Sequence, residues 1–408
     1  MKMEKRQIIV IADDFTGAAE IGGIGLRHGL KVAIEPEPIL NNGADLMVIA
    51  TDTRSMSPEE AAENIRSITS KIMGSNPFLV YKKVDSVLRG NVAAELEAQL
   101  DVMGLDRALV VAANPVFSRV IRNGRYFINE VPLHETSFSL DHLHPIMSND
   151  VTEIVQAYGS RIVCSSKHTD PLPETGLIIG DVETNDDLHA WTTISGNRTL
   201  FAGASGFFNA ILNNLDLPIT QTIPNVSQFQ ERALFILGSA FPKDNALLEK
   251  MKQNGHFHSN MPASIFHSQE TNEDEFQRWV EEVVSGIDRY KKAIVSSVHT
   301  NTNDTDIINR VKKNMARLVR EVLSRTLVNE ILIEGGSTTT EILNELRIKK
   351  LVPVQEISVG VIRMEIENSE GLYVTTKPGS YSWPPNVWKK DEIEKMNNSK
   401  QINLASYG

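Results

Sequence analysis

The chain has 408 residues, 41 Lys and Arg against 52 Asp and Glu, a net charge of −11, 41% hydrophobic residues and one cysteine. That balance excludes wholesale disorder. A net-acidic chain repels phosphate backbones at long range, which argues against a general nucleic-acid binder. Cys164 alone can make neither an internal disulfide nor a Cys-based zinc site, and one free thiol suits a reducing cytoplasm, the expected location. At about 100–200 residues per domain, the length predicts two or three domains.

In chain order, the apolar run Ile8–Ala12 is short and meets Asp13 and Asp14 at once, so it predicts a buried strand rather than a signal peptide. Nowhere do about 18 uninterrupted apolar residues predict a membrane span. Phe15–His28 has small and apolar residues at helical spacing, with Gly29 as its stop. Lys31–Glu35 and Leu46–Ala50 read as strands. Ser57-Pro58-Glu59-Glu60 starts a helix, with Ser57 as N-cap, Pro58 in the first turn and Glu60 three residues after the cap. Phe78–Lys83 predicts a strand, Asn91–Met103 a helix and Ala108–Ala113 a strand. Such alternation implies parallel pairing with helices on the sheet faces, and ligands in such folds bind at the carboxyl ends of strands.

Residues 151–225 show no period that places their elements, and Leu217–Asn225, with two prolines, reads as a linker. Ala233–Leu237 is then a strand ending in Gly238-Ser239, Ala293–Val298 another, Asp304–Thr326 a long amphipathic helix, and Glu330–Ile333 a strand running into Gly335-Gly336. The expected fold is α/β in two α/β domains. The first, 1–225, holds a mostly parallel sheet with flanking helices; the second, 226–385, is smaller; a cleft lies between them. A polar, Lys/Asn-rich tail occupies 386–408.

Polar residues cluster after four of the predicted strands. Asp13-Asp14-Phe15-Thr16-Gly17 puts two carboxylates and a hydroxyl at a strand-to-helix turn. Two such acids can orient substrate hydroxyls, accept a proton or hold Mg²⁺; the plainer alternative is that one Asp caps the helix. Haloacid-dehalogenase phosphatases also follow a strand with Asp, but they need a second Asp where Phe15 stands. Thr51-Asp52-Thr53-Arg54-Ser55 follows another strand. In Lys83-Val84-Asp85-Ser86-Val87-Leu88-Arg89-Gly90, Lys83 and Arg89 can bind a carboxylate and Asp85 can accept hydrogen bonds; a solvated charged loop is the alternative. Asn114–Arg119 and Arg122-Asn123-Gly124-Arg125 add cations, so that from Lys82 to Arg125 seven Lys and Arg stand against five Asp and Glu.

In the second half, Gly335-Gly336-Ser337-Thr338 follows a strand and starts a helix. Glycine lets phosphates approach the backbone, and free helix N-terminal amides favour anions. The turn lacks the Lys-Ser/Thr ending of a Walker loop, and a structural turn is the alternative. Gly238-Ser239 and Thr376-Lys377-Pro378-Gly379-Ser380-Tyr381 share that ambiguity. The ten histidines show no metal spacing, and His142 and His144 lack a third ligand, so metal ligands stay unassigned. Gly22-Gly23-Ile24-Gly25 lies inside a predicted helix without GxGxxG spacing, which disfavours an oxidoreductase.

Taken in order, Ala12-Asp13-Asp14-Phe15-Thr16-Gly17-Ala18, Lys83–Gly90, Asn114-Pro115 with Arg119 and Asn123-Gly124, and Gly335-Gly336-Ser337-Thr338 resemble the four-carbon acid sugar kinase family over nearly the whole chain. The resemblance implies an N-terminal domain that binds a tetronate and a C-terminal domain that binds ATP. It also implies phosphorylation of the terminal hydroxyl of D-threonate, D-erythronate or a 3-oxo-tetronate, with Mg²⁺ on the nucleotide. Carried over by position, Asp13 or Asp14 orients or deprotonates the hydroxyl. Thr16, Arg54, Lys83, Asp85, Ser86, Arg89, Asn114 and Arg119 line the sugar-acid pocket. Ser239, Gly335, Gly336, Ser337, Thr338 and Gly379 line the nucleotide pocket. Two positions depart from the family's pattern: Ser337 stands where an acid is usual, and Lys377-Pro378-Gly379-Ser380-Tyr381 replaces Lys-Ser-Gly-Asn-Phe-Gly. The expected partners are a small sugar acid and ATP, with neither nucleic acid nor membrane; oligomeric state is left open, a homodimer included. A non-catalytic sugar-acid sensor is the rival from another class.

Overall fold

The structure, a computed structural model, describes residues 7–215, 217, 229–238, 256–267, 272–297, 304–384 and 387, save 41, 142, 156, 157, 160, 195–197, 370 and 380. The expected domain boundary at 225/226, Ser239, His142 and the 386–408 tail apart from Val387 lie outside the described residues.

The first half runs β1 (Ile8–Ala12), α1 (Phe15–Arg27), β2 (Val32–Glu35), β3 (Leu46–Ala50), α2 (Pro58–Met73), β4 (Leu79–Lys83), α3 (Val92–Met103) and β5 (Arg107–Val111). It continues with β6 (Arg119–Arg122), β7 (Arg125–Ile128), β8 (Val131–Pro132), α4 (Val151–Ile154), β9 (Val163–Ser166), β10 (Gly176–Gly180), α5 (Asn185–Thr192), β11 (Thr199–Gly203) and α6 (Ser205–Asn214). The second half holds β12 (Ala233–Leu237), β13 (Phe257–Asn260), α7 (Ala263–His267), α8 (Glu273–Tyr290), β14 (Lys292–Ser296), α9 (Thr305–Arg325), β15 (Glu330–Glu334), α10 (Gly336–Glu345), β16 (Leu351–Ser358), β17 (Val361–Ile366) and β18 (Tyr373–Lys377).

Strand β1 pairs in parallel with β3 and β4, and all five of its residues are buried. A central strand covered on both faces needs an unbroken apolar run, which is why Ile8–Ala12 was readable. Its alternate residues serve different layers. Ile9 and Ile11 pack with Ile65, Ile68 and Ile72 of α2 and Ala94 and Ala98 of α3, whereas Ile8, Val10 and Ala12 pack beneath α1. Residues 151–214, unplaced by periodicity, supply β9, β10 and β11 to the same sheet. The cationic stretch 119–132 is a separate three-stranded antiparallel sheet, not a loop.

The two halves share one sheet of fifteen strands, in the order β13-β14-β12-β15-β18-β17-β16-β2-β3-β1-β4-β11-β5-β10-β9. They join where β16 runs antiparallel to β2, through Leu351 opposite Ile34. Strand β17 runs antiparallel to both β16 and β18, so β16 and β18 share a direction, and β18, β15 and β12 run opposite to the first half's parallel strands. Six strand-to-strand steps separate β1 from β15. At roughly 20–25° of twist per step, they turn the second set by roughly 120–150°, which swings its carboxyl edge towards that of the first. Helix α1 lies over the join: a Cβ on Gly22 would stand 2.9 Å from both Ile34 Cδ1 and Pro353 Cγ, and one on Gly23 2.4 Å from Ile362 Cδ1. The α1 glycines thus let the helix approach both halves.

Candidate active site

At the carboxyl end of β1, Asp14 caps α1. Its Oδ1 accepts from Gly17 N (2.9 Å) and its Oδ2 from Thr16 Oγ1 (2.5 Å). Arg54, in the short turn after β3, donates through Nε to Asp13 Oδ2 (2.7 Å) and stands 3.1 Å from Asp14 Oδ1 and 3.6 Å from Asp85 Oδ1. Burial alone would raise the Asp14 carboxyl, but the Arg54 and Lys83 charges and the Thr16 and Gly17 donors hold it below its ordinary value. The second oxygen of Asp13 differs: Oδ1 is buried and, among the described residues, has no hydrogen-bond partner. A buried carboxylate oxygen without a donor is costly.

The loop after β4 separates its cations by strand alternation. Lys82 turns to the α3 layer, where its ammonium lies 2.6 Å from Glu95. Lys83 turns to the α1 layer, where its ammonium donates to Val84 O (2.9 Å) and would lie 2.9 Å from a Cβ on Gly17. Asp85 receives Arg89 bidentately, from Nε at 2.9 Å and Nη2 at 2.8 Å, and the remaining Arg89 nitrogen donates to Asp141 at 2.8 Å. Burial would raise the Asp85 carboxyl, yet the Arg89 and Arg54 charges hold it well below the carboxylate range. Arg89, expected as a carboxylate ligand for substrate, is thus clamped between two Asp of its own chain.

The less committed cations are Lys83 and Arg119. Among the described residues neither has an acidic partner within the 4.0 Å of an ion pair, and Arg119 donates to the Ser86 hydroxyl. The Arg119 and Arg89 guanidinium groups lie 5.7 and 5.1 Å from the Phe138 ring centroid, and Tyr126 donates to Ser86 O at 2.6 Å. Asn114 is buried against Gly206 at the start of α6 and pairs through its backbone with Arg119. Phe138, Tyr126 and Asp141 escaped the sequence reading, because nothing in their own neighbourhood ties them to Arg89, Ser86 or Arg119. Asp52 had a signal in its place beside Arg54. It adopts a left-handed φ of 54°, and burial, with the nearby Asp14 charge, pushes its carboxyl up to about 6 against Ser55 and Lys312.

The second half meets this loop directly. Gly335, at φ 100°, turns the chain from β15 into α10. A Cβ on Gly336 would stand 2.7 Å from Asp14 Oδ2 and 3.3 Å from Thr16 Oγ1. Gly238, at the end of β12, lies against Thr338, where a Cβ would stand 2.3 Å from its hydroxyl oxygen. Ser337 is exposed, Thr338 is buried, and Gly379 is half-buried in the turn after β18. The structure therefore gathers Asp13, Asp14, Thr16, Arg54, Lys83, Asp85, Ser86, Arg89, Asn114 and Arg119 on one rim, with Gly336 against it and Gly335 and Thr338 beside Gly336 at the start of α10.

A cavity of about 900 Å³ opens behind Arg89, between the start of α3 and residues 143–148; of the expected site residues only Arg89 lines it. His144 contacts Arg54 O at 2.6 Å. Among the described residues no group of three or more His, Cys, Asp or Glu could hold a metal ion, and no helix is long and apolar enough to cross a membrane.

Two family models match the chain: a sugar-binding N-terminal domain over residues 8–211 and a nucleotide-binding C-terminal domain over residues 234–381. The chain belongs to the four-carbon acid sugar kinase family. It is similar to a D-erythronate kinase from Heliobacterium modesticaldum, 36% identical over 162 residues, which are 38% of this chain and 37% of that one. It is also similar to a D-threonate kinase from Salmonella typhimurium, 37% identical over 154 residues, 36% of each chain. The matched stretch thus spans little more than a third of either relative. Among solved structures, a Salmonella typhimurium protein superposes with a TM-score of 0.74 at 18% identity, covering 92% of this chain and 96% of its own. A Haemophilus influenzae protein superposes at 0.66 and 19%, covering 93% and 98%. At such identities these two bear on the fold alone.

Proposed function

We propose that this family member is an ATP-dependent kinase of a four-carbon sugar acid, D-threonate first among the tetronates, acting on its terminal hydroxyl. The observation that carries the reading is the contact of Gly336 with Asp14 and Thr16, which sets an anion-favouring helix start against a loop of carboxylates and cations. Relatives named D-erythronate, D-threonate and 3-oxo-tetronate kinase support the substrate class.

The turn at Gly335 fits a nucleotide: a Cβ there would meet nothing nearer than Thr338 Oγ1 at 3.9 Å, so the backbone is open to a phosphate, whereas the Cβ directions of Gly238 and Gly336 are filled by Thr338 and by Asp14 and Thr16. The acidic residues described do not form a metal cage, so Mg²⁺ belongs with the phosphates it neutralises. Lys83 and Arg119 hold the substrate carboxylate, and that polarity presents the far hydroxyl towards α10. Asp13 Oδ1 accepts the hydroxyl proton as the oxygen bonds to the γ-phosphorus and the bond to the ADP oxygen breaks. Asp14 cannot do so as readily, since both its oxygens already accept hydrogen bonds. Much of the catalysis is positioning, as phosphoryl transfer generally demands.

The test is an ADP-release screen over D- and L-threonate, D- and L-erythronate and 3-oxo-tetronates. ADP release dependent on one of these acids supports the reading. Calorimetric binding of threonate with no ADP formed from any of them replaces the kinase with a sugar-acid sensor.

A further inference from the structure

The segment after β18 is tied at both ends to the strand beneath the diglycine turn. Lys377 Nζ lies 3.0 Å from Glu334 Oε2, and Trp383 Nε1 donates to the same oxygen at 3.1 Å. Glu334 directly precedes Gly335-Gly336, so these bonds anchor residues 377–383 to the proposed phosphate site.

The middle of the same segment reaches the other half. The Tyr381 ring lies 5.4 Å, centroid to centroid, from Phe117, and its hydroxyl stands 3.5 Å from Glu20 Oε1 on α1. The ring also lies on the β16–β17 turn, where a Cβ on Gly360 would come within 2.5 Å of it. Burial first, then the Glu20 charge, pushes the phenol well above its ordinary range, and the Arg119 and Asp85 charges also reach it. Phe117 belongs to the loop that carries Arg119, closed by Asn114 N donating to Arg119 O (2.8 Å) and Arg119 N to Asn114 O (3.2 Å). One path therefore runs from Gly335 through Glu334 to Trp383, along the backbone to Tyr381, across to Phe117 and along its closed loop to Arg119.

We propose that Tyr381 is a positioning residue that couples the nucleotide turn to the sugar-acid loop, so that a nucleotide on the diglycine turn fixes Arg119 for the substrate carboxylate. This rests on the kinase reading above. The coupling is reciprocal: whatever factor nucleotide contributes to acid binding, acid contributes to nucleotide binding. The ring does the coupling through Phe117, and the hydroxyl adds the tie to α1.

Two measurements on the full chain test it. In calorimetry, a non-hydrolysable ATP analogue tightens tetronate binding to the wild type by about fivefold or more, the low end of ordinary coupling. Tyr381→Ala lowers that factor to under about twofold and leaves analogue affinity alone intact, while Tyr381→Phe keeps most of it. In hydrogen exchange, the analogue slows the amides of residues 117–119 in the wild type and in Tyr381→Phe but not in Tyr381→Ala; those amides are already bonded within the loop, so their exchange reports its opening. A Tyr381→Ala protein with undiminished coupling and undiminished slowing overturns the proposal. So does one that no longer binds the analogue, since Tyr381 would then belong to the nucleotide site itself. If the wild type binds no tetronate, the substrate assignment fails, and the exchange measurement still decides the coupling because it needs nucleotide only.

Discussion

Gly336→Ala tests whether the two halves work in the contact seen here. Gly336 is outside the left-handed region, so alanine suits its backbone. The new Cβ would lie 2.7 Å from Asp14 Oδ2, against the 3.4 Å at which ordinary contact begins, so Asp14 or α10 must move by roughly the difference. Asp14 cannot yield without straining its bonds from Gly17 and Thr16 and its pairing with Arg54. Overpacking of this kind costs about 1–3 kcal/mol. At this first helical position alanine returns at most about 1 kcal/mol of helix propensity, so the net loss of roughly 3 kcal/mol or less leaves a folded protein with a melting temperature a few degrees lower. Catalysis suffers more, because a misplacement near 1 Å can cost about a hundredfold. We expect kcat/KM for the tetronate to fall by about 10–100-fold, read by ADP release beside a thermal melt. A variant with kcat/KM within about twofold of wild type would refute the reasoning, since the γ-phosphate could not then be delivered across this contact.

The remaining expectations follow from particular side chains. Arg119→Met raises KM for the acid by about 10–150-fold, the worth of one lost charged hydrogen bond, with little change in melting temperature. Arg89→Met instead leaves Asp141 without its arginine and Asp85 with the more distant Arg54 alone, and costs up to about 3–5 kcal/mol of stability; a thermal melt matching wild type would count against the clamp. Asp52 carries a folded-state value of about 6 against an ordinary 3.8, so between those values the folded protein holds a proton that the unfolded chain has released. Stability therefore falls as pH rises through that window, by at most roughly 3 kcal/mol and by less to the extent that water reaches the side chain. Asp52→Asn should be more stable than wild type at pH 7.5 and indistinguishable at pH 4 in urea melts. Gln99 is fully buried on α3 and, among the described residues, neither of its amide atoms has a hydrogen-bond partner, so Gln99→Leu should raise the urea midpoint by the equivalent of about 1 kcal/mol or more, and a lower midpoint would contradict it.

What the sequence revealed depended on how locally each feature is encoded. Strand β1 was legible to the residue because its neighbours cover both faces, and the Ser57–Glu60 capping box because all its members lie within four positions. Strands β16 and β17 were not, since Leu351–Ser358 mixes Pro353, Gln355 and Glu356 into its apolar pattern and the pair carries two register shifts. The polar loops were legible because each follows a strand, and a parallel sheet aligns strand ends. Their internal allegiances were not: Arg89 meets Asp141 from 52 positions away, and Tyr381 meets Glu20 from 361. Residue type marks an arginine as able to bind a carboxylate, but only the folded contacts show whether its donors are already taken.

That distinction bears on how a chain of net charge −11 could hold two anions. On the rim, Arg54, Lys83, Arg89 and Arg119 face Asp13, Asp14, Asp85 and Asp141, so formal charge there is balanced before any ligand arrives. Long-range attraction therefore contributes little, and recognition must come from short-range geometry. The arginine–aspartate pairs supply it by holding one another rigid: Arg54 spans three carboxylates and Arg89 two. Their stiffness leaves three groups with unfilled hydrogen-bonding capacity: the Lys83 ammonium, the Arg119 guanidinium and Asp13 Oδ1. Under the proposed reading, two cations and one acceptor match the two ends of a hydroxy acid, carboxylate and terminal hydroxyl, and recognition then rests on that complementarity rather than on any local surplus of positive charge.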